Sequence, residues 1–193
     1  MENTLNKKVE KENKESEVQK KNTVVGWIKY CLFLLFLVFV VHNSIGLTTI
    51  SGFSMFPTFQ DGDIVLEEKV SKYFNSPEMG DVAVINRPEQ GYKIIKRIIG
   101  LPGDTVEIKD GLFYVNQNPI PEITTEGTPP DMDAIKVPEN HIFVVGDNRT
   151  PGESIDSRDQ SVGAIPKEEI DGYIIYSLKP FRSISKPLDL SLN

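Results

Sequence analysis

From Tyr30 to Gln60 the chain carries no Lys, Arg, Asp or Glu, although charged residues make up 25% of the whole. Within that gap, Tyr30 to Val41 reads Y-C-L-F-L-L-F-L-V-F-V-V without a polar interruption. Twelve residues are too few to cross a hydrocarbon core of about 30 Å, which takes roughly 20 at 1.5 Å each. The run extends, however. Val24, Val25, Trp27 and Ile28 lie upstream, with Lys29 able to snorkel to the headgroups, and Ile45 and Leu47 lie downstream. The pattern predicts a membrane anchor over 24–44, with Trp27 and Tyr30 at an interface. A buried core helix would show a polar face, and this segment has none. A cleaved leader would end in a small-x-small site, which does not follow the run, and its charged region would be unusually long. Cys31 lacks the small-residue surroundings of a lipoprotein acceptor and reads as a membrane-facing apolar residue.

The anchor splits the net charge of −7. Residues 1–29 hold seven lysines and five glutamates, whereas the remainder is strongly acidic. Lys20, Lys21 and Lys29 flank the amino side, and the first basic residue on the other side is Lys69. The positive-inside rule then puts the N-terminus in the cytoplasm and the bulk of the chain outside the cell membrane, as a single-pass protein. Residues 1–23 alternate Lys, Glu, Asn and Gln and are expected to form a solvated polar tail, at most a frayed helix. One cysteine excludes an internal disulfide framework and a multi-cysteine metal site. The acidic balance argues against a nucleic-acid partner, whose phosphates need a basic face.

Residues 45–193 read as a mostly β domain. Short β-like runs are separated by turn residues, at Ile64–Leu66, Val82–Asn86, Lys93–Ile99, Thr105–Lys109, Leu112–Val115, His141–Val145 and Tyr173–Leu178. Asp110-Gly111 between two alternating segments predicts a two-residue hairpin. Pro119–Pro121 and Thr124–Pro138 read as proline-rich acidic loops, and Lys167–Glu169 as a short helical turn.

Three clusters could carry chemistry. The first, S-G-F-S-M-F-P-T at Ser51–Thr58, places Ser54 between Gly52 and Pro57 on constrained backbone. It fits a positioned nucleophile and an ordinary turn alike, and it lacks the G-x-S-x-G elbow. The second is Y-K-I-I-K-R-I-I-G-L-P-G-D at Tyr92–Asp104. On a strand Lys96 lies between Ile94 and Ile98, with Lys93 and Arg97 on the other face. An apolar setting lowers a lysine pKa and makes the neutral amine available as a general base; a half-exposed strand lysine that snorkels to solvent is the bland alternative. The third, G-D-N-R-T-P-G-E-S-I-D-S-R at Gly146–Arg158, offers Asp147, Arg149, Asp156 and Arg158 as a paired network in a polar loop. Neither His42 nor His141 completes a Ser-His-Asp triad, and the S-x-x-K at Ser183–Lys186 lacks its companion motifs.

Together and in this order, the clusters and the anchor resemble a bacterial type I signal peptidase, in its single-span Gram-positive form. S-M-F-P-T, K-R-I-I-G-L-P-G-D, G-D-N-R…S-I-D-S-R and the intervening G-D-V-A-V-I-N-R-P at Gly80–Pro88 carry the likeness, over about residues 24–180. It implies an antiparallel, barrel-like β domain behind one transmembrane helix. The implied reaction is removal of signal peptides from secretory preproteins after small-x-small sites. The resemblance implies Ser54 as nucleophile and Lys96 as general base, a dyad variant of triad chemistry. Ser154 matches the serine that orients the lysine, and Asp147, Asp156 and Arg158 match bracing residues. The Ser54 backbone N–H would serve the oxyanion hole, with no cofactor and no metal. Two departures stand out. Extra residues separate Arg149 from Ser154, and Gly52 stands where some relatives have a serine that helps the oxyanion hole, which leaves the role of Ser51 open. Phe53, Met55, Phe56 and Phe59 fit both an apolar rim at the membrane interface and a share of the β core. Two rivals remain: a self-cleaving, repressor-type Ser-Lys peptidase, and a catalytically inactive membrane-tethered β domain that binds signal peptides.

Overall fold

The computed structural model describes residues 2–88, 91–121 and 124–184. They form two compact units, 1–43 and 44–193. The first is helical. Helix α1 runs from Glu2 to Ser44, and within it Lys20–Ser44 is long and apolar enough to cross a membrane, with a mean hydropathy of 2.5 and none of that window buried. Val24, Trp27, Phe33, Phe36 and Phe39 all stand exposed, an apolar surface that only lipid or another chain would cover. The polar stretch expected as a solvated tail continues the same helix. Its Lys, Glu and Gln residues are good helix formers, and no Gly or Pro interrupts them before Gly26.

The second unit is built from β-strands: β1 Ile45–Thr49, β2 Ile64–Glu68, β3 Val82–Arg87, β4 Tyr92–Gly100, β5 Thr105–Lys109, β6 Leu112–Val115, β7 Asn118–Pro119, β8 Met132–Lys136, β9 His141–Val145, β10 Ile165–Pro166, β11 Ile170–Lys179 and β12 Phe181–Ser183. The main sheet runs in the order β1-β2-β11-β3-β4-β9-β10, with β12 added to β11; a smaller sheet runs β7-β6-β5-β8. Among the described residues every pairing between these strands is antiparallel, which fits the mostly β reading. The Asp110-Gly111 hairpin forms, both residues having positive φ (50° and 74°), the backbone a two-residue turn of this hand requires. Lys167–Glu169 is a single 3₁₀ turn.

Two segments differ from the sequence reading. Thr124–Pro138 is not loop throughout, because β8 pairs with β5 there; Met132 is only partly exposed while the rest of β8 faces solvent, so no alternating pattern advertises it. Asn118–Pro119 likewise adds a short edge to β6.

Three apolar clusters hold the unit together. Ile99, Phe143 and Val145 of the main sheet pack on Val106, Ile108, Phe113 and Val115 of the smaller one. Ala83, Ile85, Ile98, Ile142 and Val144 fill a second. The third joins Ile50, Met55 and Phe59 to Val65, Val82, Val84 and Ile174. This last cluster positions the candidate site, because it ties the Ser54 turn to the sheet that carries Lys96. Strand β4 is the hinge of the layout. Its residues 92–97 pair with β3, but β9 covers its other edge only from Arg97 onward, so Tyr92–Lys96 keep one edge unpaired among the described residues.

Candidate active site

Lys96 sits opposite Ala83 in the β3–β4 ladder, where the small neighbour leaves room for a long side chain. Ile98 on the same face is fully buried and Ile94 partly so, and Lys96 itself is 3% exposed. Its Nζ lies 2.6 Å from Ser54 Oγ. An ammonium would donate that hydrogen bond, and a neutral amine can accept the hydroxyl proton through it. Burial pushes the Lys96 pKa down from 10.5 to about 8. The Asp156 charge opposes the shift, Arg158 assists it and Asp147 opposes it. Desolvation wins because the amine has lost almost all of its water.

Ser54 is held in a compact turn. Phe56 N–H donates to Phe53 O (3.0 Å), Phe59 N–H to Met55 O (2.8 Å), and Gly52 N–H to Asp61 Oδ1 (2.8 Å). Met55 and Phe59 point into the third core cluster, whereas Phe53 is 59% exposed. The aromatic and Met residues around Ser54 therefore divide: two anchor the turn, Phe56 is partly buried, and Phe53 alone faces solvent. Thr48, Ser51, Ser54 and Met55 on one wall, with Ile94 and Lys96 on the other, line a cleft that ends at the Ser54–Lys96 pair.

The Gly146–Arg158 segment follows β9 and closes the back of the site. Asp156 accepts from Arg158 Nε and Nη2 (both 2.8 Å), from Gly146 N–H (2.9 Å) and from Ser154 Oγ–H (2.6 Å). Burial alone would raise its pKa, but the bidentate Arg158 and these two donors hold it below the usual carboxylate range. Ser154 thus reaches the site through Asp156, and its hydroxyl hydrogen bond runs there and not to Lys96. Asp147 does not pair with the arginines of its own loop. It is fully buried and takes Arg97 bidentately, at 2.8 and 2.6 Å, with Thr58 Oγ1–H at 2.5 Å. Gly146 is obligatory for a steric reason: a Cβ there would collide with Ser54 O and Ser154 Oγ.

All six side chains singled out from sequence (Ser54, Lys96, Asp147, Ser154, Asp156 and Arg158) therefore lie in one connected constellation. Arg149 leaves it: its guanidinium lies over the Phe113 ring, 4.5 Å from the centroid. His141 is set apart too, its Nδ1 2.8 Å from Glu139 O. Ser51 lines the cleft. Lys186 of the S-x-x-K falls outside the described residues. Sequence reasoning missed Arg97, Thr58 and Asn148. Arg97 carried a usable signal, since an arginine on the inward face of a strand this apolar requires a buried acid. Asn148 carried none beyond its place in the motif.

The model of the family "Signal peptidase, peptidase S26" matches residues 24–178. Signal peptidase I P of Bacillus subtilis subsp. natto is 32% identical over 188 residues, spanning 90% of this chain and 98% of that protein. Signal peptidase I S of Bacillus subtilis strain 168 is likewise 32% identical, over 90% and 98%. A probable signal peptidase I-1 of Synechocystis is 38% identical over 66% of this chain and 67% of its own.

Proposed function

The chain belongs to the signal peptidase family, peptidase S26, and from that premise we propose that it is a membrane-bound serine endopeptidase that cuts signal peptides from secretory preproteins with a Ser54–Lys96 dyad. The 2.6 Å contact between Ser54 Oγ and a lysine whose pKa has fallen to about 8 is the observation that carries this reading. Neutral Lys96 takes the Ser54 proton as Oγ attacks the scissile carbonyl. The developing oxyanion meets the Ser54 backbone N–H, which has no acceptor of its own among the described residues. Lys96 then gives its proton to the leaving amine, and a water deprotonated by the same lysine hydrolyses the acyl-enzyme. Asp156, Arg158 and Ser154 brace the wall behind Lys96, while Arg97 and Asp147 fix the start of the motif that carries them.

Substrate binds as an added strand. Among the described residues, 92–96 of β4 have a free edge, β1 has another, and the cleft lies between them. Four antiparallel pairings, β1–β2, β2–β11, β11–β3 and β3–β4, separate these walls, so β1 and β4 run in the same direction. A peptide running parallel to both delivers its residues before the cut along Thr48 and Ile94 and its scissile carbonyl to Ser54. The apolar side chains of Met55 and Ile94 in this cleft suit small side chains at the first and third positions before the cut.

The apolar helix Lys20–Ser44 anchors the enzyme in the cell membrane, with the lysine-rich N-terminus in the cytoplasm and the β unit outside. Ser54 is ten residues beyond Ser44 in the chain. The test is reconstitution of the full chain in liposomes with a preprotein bearing a small-x-small site. Sequencing should find the new N-terminus directly after that site; uncut preprotein, or cleavage elsewhere, sinks the proposal.

A further inference from the structure

Asn148 belongs to neither the dyad nor the ion pairs, yet two of its hydrogen bonds converge on the nucleophile's backbone and a third fixes its side chain. Its main-chain N–H donates to Ser54 O at 3.0 Å. Its side-chain Nδ2 donates to Phe53 O at 3.3 Å, and its Oδ1 accepts from Thr150 N–H at 3.2 Å. One orientation of the amide satisfies both side-chain bonds, so the group is not free to flip. The residue is buried, at 7% exposure.

Its own backbone is pinned on both sides. Glu126 N–H donates to Asp147 O (3.1 Å), and Arg149 N–H donates to Glu126 O (2.7 Å), so an extended strap bridges the peptide units flanking Asn148. Asp147 is fixed further by Arg97 and Thr58. The Asn148 amide is therefore a rigid post rather than a mobile surface group.

A trans peptide is planar, with C=O and N–H pointing to opposite sides. Holding Phe53 O, which the Asn148 side chain does together with the Phe56 N–H of the turn, thus fixes the direction of the N–H in the same peptide unit, that of Ser54. This is the N–H to which the proposed mechanism gives the oxyanion, and it is left without an acceptor in the described structure. We propose that Asn148 is the positioning residue of the oxyanion hole: its side chain clamps the Phe53–Ser54 peptide plane so that the Ser54 N–H points at the carbonyl oxygen as it becomes an anion. The inference rests on the Ser54–Lys96 reading and adds a residue that acts through the backbone rather than on the substrate.

The experiment compares wild type with Asn148→Ala and the nearly isosteric Asn148→Asp, which cannot donate to Phe53 O. Four quantities are read: kcat and KM for a signal-peptide substrate, the pH midpoint of kcat/KM, and affinity for a peptide boronic acid with small residues at the first and third positions. Ser54 Oγ adds to boron, its proton passes to Lys96, and an oxygen of the tetrahedral anion occupies the oxyanion position. Removing an oxyanion donor outright costs about 10²–10³-fold in kcat, and a misdirected donor should cost roughly 10–100-fold. The expected result is that loss in kcat with KM nearly constant, an unchanged pH midpoint and a matching loss of boronate affinity. A purely structural role would lower the melting temperature without lowering boronate affinity in the folded protein. Unchanged kcat, a loss confined to KM, a shifted pH midpoint, or failure of both variants to fold overturns the inference. Wild type that binds boronate but leaves signal peptides uncut sinks the substrate assignment alone, and boronate affinity still reads the clamp.

Discussion

The pH dependence of cleavage follows directly from the burial of Lys96. An unperturbed lysine, with a pKa of 10.5, is neutral in roughly one molecule in 3,000 at pH 7. At a pKa of about 8, roughly one molecule in ten is neutral, so burial enlarges the competent population about 300-fold. The same shift corresponds to about 3 kcal/mol of disfavoured protonation. Because the deprotonated form is the active one, kcat/KM should climb tenfold per unit below pH 7, bend near pH 8 and level off above it, gaining about tenfold between pH 7 and 9. Folding is linked with the opposite partner form. The unfolded chain keeps the lysine protonated between about 8 and 10.5 while the folded chain does not, so this group's penalty is full below pH 8 and fades as pH rises towards 10.5. Replacing Arg158 tests the electrostatics. Arg158 lowers the Lys96 pKa and neutralises Asp156, which raises it, so Arg158→Gln should move the midpoint upward. The assay is initial-rate cleavage of a fluorogenic signal-peptide substrate from pH 6 to 10. A profile flat across that range, or a midpoint near 10 in wild type, would refute the reasoning.

Other consequences are equally specific. Asp147→Ala removes the bidentate carboxylate from the buried Arg97 guanidinium, leaving it neutral acceptors such as Gly80 O, and should cost about 3–5 kcal/mol, lowering the melting temperature by roughly 6–20 °C; a thermal melt within 2–3 °C of wild type, on the order of a single kcal/mol, contradicts the assigned pairing. The full chain should stay with the bilayer through an alkaline carbonate wash, because Lys20–Ser44 has no buried face to hold it elsewhere; release into the supernatant contradicts the anchor.

What the sequence makes legible here depends on whether a residue's partner lies nearby in the chain or is dictated by pattern. Strands with one apolar face or a fully apolar run, such as Val82–Arg87 and His141–Val145, announce themselves through composition. Strand β1 does not, because Ile45–Thr49 continues the apolar run of the anchor and sits on a sheet edge with alternate residues exposed. Strand β8 hides in an acidic, proline-flanked stretch for the same reason: an edge strand facing solvent has little pattern to show. In the site, Lys96 stood out because a lysine between isoleucines conflicts with its setting. The ion-pair assignments did not follow from proximity. Asp147 and Arg149 are neighbours in sequence, yet Asp147 turns to Arg97 on β4, and only the fold could bring 97 and 147 together. Asn148 acts through carbonyl groups, which carry no side-chain signature at all.

The central claim is that Ser54 attacks and Lys96 removes its proton. Measuring cleavage of one signal-peptide substrate by wild type, Ser54→Ala and Lys96→Ala, at pH 8 and with folding checked by thermal melts, tests it most directly. Both variants should be folded and lose activity by at least about 10³-fold. A folded Ser54→Ala or Lys96→Ala protein that cleaves at the wild-type rate would contradict the account.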